Sequence, residues 1–143
     1  MKILAYLLLL FCANTCFAVS WNELSKEEAG NYHIEVKAKY IDRDGCFKIK
    51  AKFPNTVSFK DLGDRLIWGA QYKKIITKNK GWQLTSKGTQ VALQINSEGN
   101  FKKVASICIG SDDIKHSYLS LIYGVRKAVP PMVLLIKLSD YAK

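Results

Sequence analysis

Two runs of alternating apolar and charged residues, separated by Asp42-Arg43-Asp44-Gly45, constrain the fold of this chain more than any other feature. In residues 33–40, Ile34, Val36, Ala38 and Tyr40 alternate with Glu35, Lys37 and Lys39. In residues 47–53, Phe47, Ile49, Ala51 and Phe53 alternate with Lys48, Lys50 and Lys52. A period of two places each set on one side of an extended chain, so both segments read as half-buried β-strands. Pro54 ends the second strand because it has no N–H to give to a ladder. The intervening residues are turn formers, with Gly45 placed where a positive φ is usually needed, and they predict a hairpin.

The register of that hairpin is also derivable. Only odd index sums set apolar residues opposite apolar ones, and a loop of residues 42–45 closed by Ile41 and Cys46 pairs Ile34 with Phe53, Val36 with Ala51 and Ala38 with Ile49. On the other face Lys39 then meets Lys48, Lys37 meets Lys50, and Glu35 meets Lys52.

Elsewhere the punctuation is coarser. Ser20-Trp21-Asn22-Glu23 has the S-x-x-E form of a capping box and Ala29-Gly30 offers a stop, which predicts a short helix over 21–29. Ser58 with Asp61 and Gly63 predicts one further helical turn. Strand-like segments follow at 65–77, at 82–84 after an Asn79-Lys80-Gly81 turn, and at 91–95 in alternation after Ser86-Lys87-Gly88. Residues 96–100 read as a turn, and 104–109, 118–125 and 132–138 as strands. The last two are apolar on both faces and should lie centrally, covered on each side. The expected architecture is all-β, an antiparallel sandwich or flattened barrel of about eight strands with one or two short helices.

Composition sets the compartment and the kind of partner. Lys+Arg total 22 against 12 Asp+Glu, a net charge of +10, and 48% of residues are hydrophobic, which fits a globular domain and excludes a disordered or collagen-like chain. Met1-Lys2, an apolar run over 3–11 and a small-residue exit at Ala18 stand in the order of a secretory signal peptide. Cleavage after Ala18 would leave one all-β domain over 19–143, secreted or periplasmic, with no transmembrane segment, since the apolar run is short of the ~20 residues a spanning helix needs. Cys12 and Cys16 leave with the signal. Cys46 and Cys108 remain as an even pair in an oxidising compartment, so a disulfide between them is expected. Cys46 shares the parity of Lys48, and Cys108 lies off the face of Ile107 and Ile109, which places the bridge at the rim or outer face.

The candidate binding residues are Lys37, Lys39, Lys48, Lys50 and Lys52, gathered on one face of the hairpin. Opposed like charges destabilise a strand pair, and an anion between them removes that repulsion, so the patch points to a polyanion such as anionic lipid, envelope polysaccharide, glycosaminoglycan or nucleic acid. The same lysines would also serve as a solvated face that protects a sheet edge. Sequence-specific nucleic-acid reading is disfavoured, because only Arg43, Arg65 and Arg126 supply bidentate forks. The aromatics Tyr40, Phe47 and Phe53 have core parity, and Trp68 with Tyr72 reads as core packing.

Chemistry is thin. His33 and His116 are the two histidines, Gly110-Ser111-Asp112-Asp113 reads as a polar turn rather than a metal site, and no nucleophile elbow, zincin helix, phosphate loop or zinc-type cysteine pair occurs. No catalytic residue, cofactor or metal is assigned. The expectation is an exported, non-enzymatic binding or interaction module. Its alternatives are a secreted hydrolase with a dispersed site, and an inhibitor or effector that meets a protein partner through the turn loops or the basic, proline-stiffened loop 126–131.

Overall fold

A computed structural model describes residues 20–75, 89–125 and 131–143. The segment 1–18 expected as a signal, the strand expected at 82–84 with its expected turns, and residues 126–130 of the basic loop lie outside the described residues.

The described chain folds into two sheets. In order along the sequence stand β1 (Ser20–Leu24), the helix α1 (Lys26–Asn31), β2 (Glu35–Ile41), β3 (Cys46–Pro54), β4 (Thr56–Phe59), β5 (Gly63–Lys74), β6 (Gln90–Leu93), β7 (Ile95–Glu98), β8 (Phe101–Gly110), β9 (Ser117–Gly124) and β10 (Met132–Lys137). Short 3-10 turns at Ile114–His116 and Leu138–Asp140 complete the set. The larger sheet runs β1-β10-β9-β5-β4, with β6 also on β5, and the smaller runs β2-β3-β8-β7. This is the expected all-β architecture, two sheets facing each other across one apolar layer.

The hairpin forms as its pattern dictates. Glu35 pairs with Lys52, Val36 with Ala51, Lys37 with Lys50, Ala38 with Ile49, Lys39 with Lys48, and Ile41 closes the loop opposite Cys46. Within the loop the Ile41 carbonyl accepts from the amides of Asp44 at 3.0 Å and Gly45 at 2.9 Å, and Gly45 takes a φ of 63°. A β-carbon would be strained in that conformation.

Between the sheets Val36, Ile49, Phe53, Val104 and Ile109 of the smaller meet Val57, Phe59, Leu119, Leu121, Tyr123, Leu134 and Ile136 of the larger. On the reverse side of the larger sheet Tyr118, Val133 and Leu135 form a second buried cluster with Ile75. β9 and β10 are thus buried on both faces, as their unbroken apolar runs require.

Tyr123 joins the two halves of the core. It is fully buried and its hydroxyl donates to the Pro54 carbonyl at 3.0 Å, so burial pushes the phenol above its ordinary value and holds it neutral. Because the folded value is the raised one, this stabilisation is complete below about pH 10 and is lost as pH rises, when the unfolded chain ionises first. Tyr123→Phe should therefore lower stability by about 1 kcal/mol at neutral pH and weaken the alkaline decline, as urea unfolding at about pH 8 and about pH 11 would show. An equal decline in both proteins would exclude Tyr123 as its source.

Several local readings are corrected. The helix is Lys26–Asn31, not 21–29: Ser25 is the cap, accepting from the Glu28 amide at 3.2 Å while its own amide donates to the Glu28 carboxylate at 2.8 Å. Two S-x-x-E strings stand side by side, and the first is drawn into β1 by parallel pairing with β10. Gly30 lies inside the helix, which closes instead at His33 with a φ of 56°. Residues 58–63 form a hairpin connection rather than a helical turn, since the Ser58 hydroxyl bonds the Asp64 carboxylate across the β4–β5 pair instead of capping.

The alternation over 91–95 is divided between the sheets. β6 pairs with β5 and β7 with β8, so the chain crosses from one sheet to the other at Gln94. Residues expected as a turn after Ile95 extend β7 to Glu98, and the turn itself comes at Gly99 and Asn100. Alternation reports which side is buried but not which strand is the neighbour. Trp68 is 52% exposed rather than packed in the core. A β-bulge between Ile67 and Gly69 resets the phase of β5, leaving Ile67, Ala70 and Tyr72 toward the core and Trp68 outside it, its ring lying against Gly124.

Candidate functional site: the outer lysine face of the smaller sheet

The residues that alternate away from the core on β2, β3 and β8 make one outer face. The β2–β3 register sets Lys37 opposite Lys50 and Lys39 opposite Lys48, and the β3–β8 register adds Lys103 opposite Lys52. Side chains so opposed have β-carbons about 5 Å apart, within mutual reach of their ammonium groups. All five lysines named from the sequence are on this face; Lys37, Lys39, Lys48 and Lys50 are exposed and Lys52 is half-buried. Glu35 and Glu98 are the acidic residues of the same face, so lysine predominates.

Lys103 was not among the candidates, and a bulge is the reason. Ile49 pairs with Ile107 but Ala51 pairs with Val104, so Ala105 and Ser106 together oppose Lys50. That extra residue turns Lys103 from the core parity of Ile107 and Ile109 to the lysine face, and it lets Val104 enter the core. The signal was present in the sequence as a phase slip, since Val104 falls out of step with Ile107 and Ile109.

The bulge also shapes the surface. A concavity of about 560 Å³ lies along this face, lined by Glu35, Lys37, Lys50, Lys52, Asn96, Lys103 and the small residues Ala105 and Ser106. Two of its lysines are held in place: the Lys52 ammonium sits 4.5 Å from the centre of the Phe101 ring, and Lys103 pairs with Glu98 at 2.5 Å. The hydrogen bond from Lys103 keeps the Glu98 carboxyl below the usual carboxylate range. Lys37, Lys39, Lys48 and Lys50 have no ion pair among the described residues. Phe101 brings an aromatic ring beside the lysines, where sequence parity had assigned none. Of the aromatics placed in the core, Phe53 is fully buried and Phe47 half-buried, whereas Tyr40 is 39% exposed and leans edge-on against Phe47 at 5.1 Å between ring centres.

Cys46 and Cys108 stand at disulfide distance, with Cα atoms 5.6 Å apart. Cys46 lies opposite Gly110 and Cys108 opposite Lys48, so the pair links neighbouring strands of one sheet, diagonally, on the lysine face at its hairpin end. The histidines are far less organised. His33 is exposed at the end of α1, and the carbonyl of His116 accepts from the Ile75 amide in a 3-10 turn. Residues 110–113 form the polar turn that their composition predicts, followed by the 3-10 turn Ile114–His116, with Asp113 held by Lys74 at 2.5 Å. No group of three metal-ligating side chains occurs among the described residues, and no helix among them is long and apolar enough to cross a membrane.

A second concavity of about 440 Å³ opens between the sheets, walled by Tyr72, Val91, Leu93, Ile107 and Ile109. The Lys74–Asp113 pair at its rim leaves it without an excess of either charge. No protein-family model matches this chain, and no curated protein or solved structure is significantly similar to it.

Proposed function

We propose that this is an exported binding module without a reaction of its own, which recognises an anionic ligand of the envelope or of a host through the lysine face. Export rests on the signal-type segment ending at Ala18, and the even pair Cys46 and Cys108 suits an oxidising compartment. One observation carries the ligand class: two like-charge pairs, Lys37 with Lys50 and Lys39 with Lys48, stand side by side on one solvent face without an ion pair among the described residues, and Lys52 and Lys103 continue the positive surface. Each such pair is a standing repulsion of a few tenths of a kcal/mol or more, which an anion between the ammonium groups turns into attraction. The groove favours a linear anionic polymer such as a polysaccharide over a flat lipid surface, since a chain follows a trough that a membrane bridges. Lysine without arginine gives point-charge contacts, so binding is expected to be diffuse and salt-sensitive.

The test is retention on heparin and co-sedimentation with anionic vesicles at low salt. The wild-type protein should be retained on heparin and released by moderate salt. Lys37→Glu with Lys50→Glu should weaken binding by at least about 30-fold, from about 1 kcal/mol per lysine lost. Stronger binding to vesicles than to heparin would transfer the reading to lipid head groups. No retention on either at low salt would end it.

A further inference from the structure

The smaller sheet ends at β2, whose outer edge carries no strand among the described residues. At seven residues it is the longest of the edge strands, against five for β1 and four each for β4, β6 and β7. Alternate residues of such a strand turn their N–H and C=O groups away from β3, unpaired by any neighbour there. On the outer side the edge presents Glu35, Lys37 and Lys39; on the other Val36 is buried in the core, Ala38 is half-buried and the ring of Tyr40 is 39% exposed.

We propose that this edge takes up an extended acidic segment of a partner protein as a fifth strand. Charge complementarity sets the chemistry of the occupant. Carboxylates on the incoming strand stand opposite Lys37 and Lys39, a basic residue stands opposite Glu35, and the alternate positions are apolar, meeting Ala38 and Tyr40. Because the acid of β2 lies at one end, the order acid, apolar, acid, apolar, base fits in one direction only for a given strand polarity. The two lysines repel basic strands and disfavour uncharged ones, so they turn an indiscriminate edge into a selective one. A second copy of this chain is a poorer occupant, because its own β2, paired antiparallel and centred on residue 37, would set Lys37 against Lys37 where the proposed segment carries a carboxylate. The inference goes beyond the polyanion reading, since it requires backbone pairing as well as charge.

The experiment uses the full chain and a synthetic peptide alternating Glu and Val with a terminal Lys, titrated by amide chemical-shift mapping or fluorescence anisotropy. N-methylation is placed in two versions, each blocking one alternate set of peptide amides. Binding should centre on the amides of residues 35–41, one methylated version should bind tenfold or more weakly, and the other should stay within about threefold. Lys37→Glu with Lys39→Glu should reverse the preference toward a peptide carrying Lys in place of Glu. Lys103→Glu, on β8 two strands away from the β2 edge, should weaken heparin binding about fivefold yet change peptide affinity by less than about threefold, which keeps the two readings separate. Equal binding of both methylated peptides, absence of binding, or a dimer of the free protein joined through β2 would overturn the proposal.

Discussion

Leu134→Ala is expected to lower the unfolding free energy by about 3–4 kcal/mol, the range for removing a large aliphatic side chain from a closed core. Leu134 is fully buried at the centre of β10, with Asn22 of β1 beside it on one side and Leu121 of β9 on the other. A rigid, two-sided environment of that kind collapses poorly onto the vacancy, so the cavity adds to the lost transfer energy. For a domain of this size the melting temperature should fall by about 10–15 °C. Leu66→Ala is the internal comparison: Leu66 is 53% exposed on β5, and its truncation should change stability by less than about 0.5 kcal/mol. Equal effects at the two sites, measured by thermal or urea unfolding, would mean that the sheets do not meet where the structure puts them.

The second large effect belongs to the cysteines. Cys46 and Cys108 are 62 positions apart in sequence, and closing a loop of that length removes unfolded-state entropy worth about 4 kcal/mol on the chain-entropy model. Replacing both by Ser should forfeit most of that stability. Binding should respond differently, because the link lies between β3 and β8, which are already registered by their own ladder from Cys46 opposite Gly110 to Pro54 opposite Phe101. Below its lowered melting temperature the double variant should keep heparin retention within about twofold of wild type. Intact mass of the wild-type protein, lighter by two hydrogens when oxidised, establishes that the link is present before the comparison is made. Loss of retention in a folded variant would show that the link positions the lysines.

How much of this was visible beforehand differs from residue to residue. The hairpin was, including its register, because a turn and two strands of period two leave a single pairing that buries Val36, Ile49 and Phe53 together. The central position of β9 and β10 was, because only strands covered on both faces can carry such unbroken apolar runs. Lys103 and Trp68 were not, for one shared reason: each lies beside a bulge, where a single added residue inverts the parity by which faces are assigned. The helix was misplaced because Ser20 and Ser25 open equivalent capping strings, and distant β10 decides between them by pairing with the first.

Taken alone, the order of residues determined that this chain is all-β, that the segments around Gly45 pair as they do, and that five lysines share a face, since each of these follows from neighbours in the chain. The tertiary structure decided what depends on neighbours across space. It brought β8 alongside β3 with its bulge, added Lys103 and Phe101 to the lysines, hollowed the groove between them, and left β2 at the sheet's edge. A strand's own alternation specifies which side it buries, and only the pairing of distant segments specifies what stands beside it.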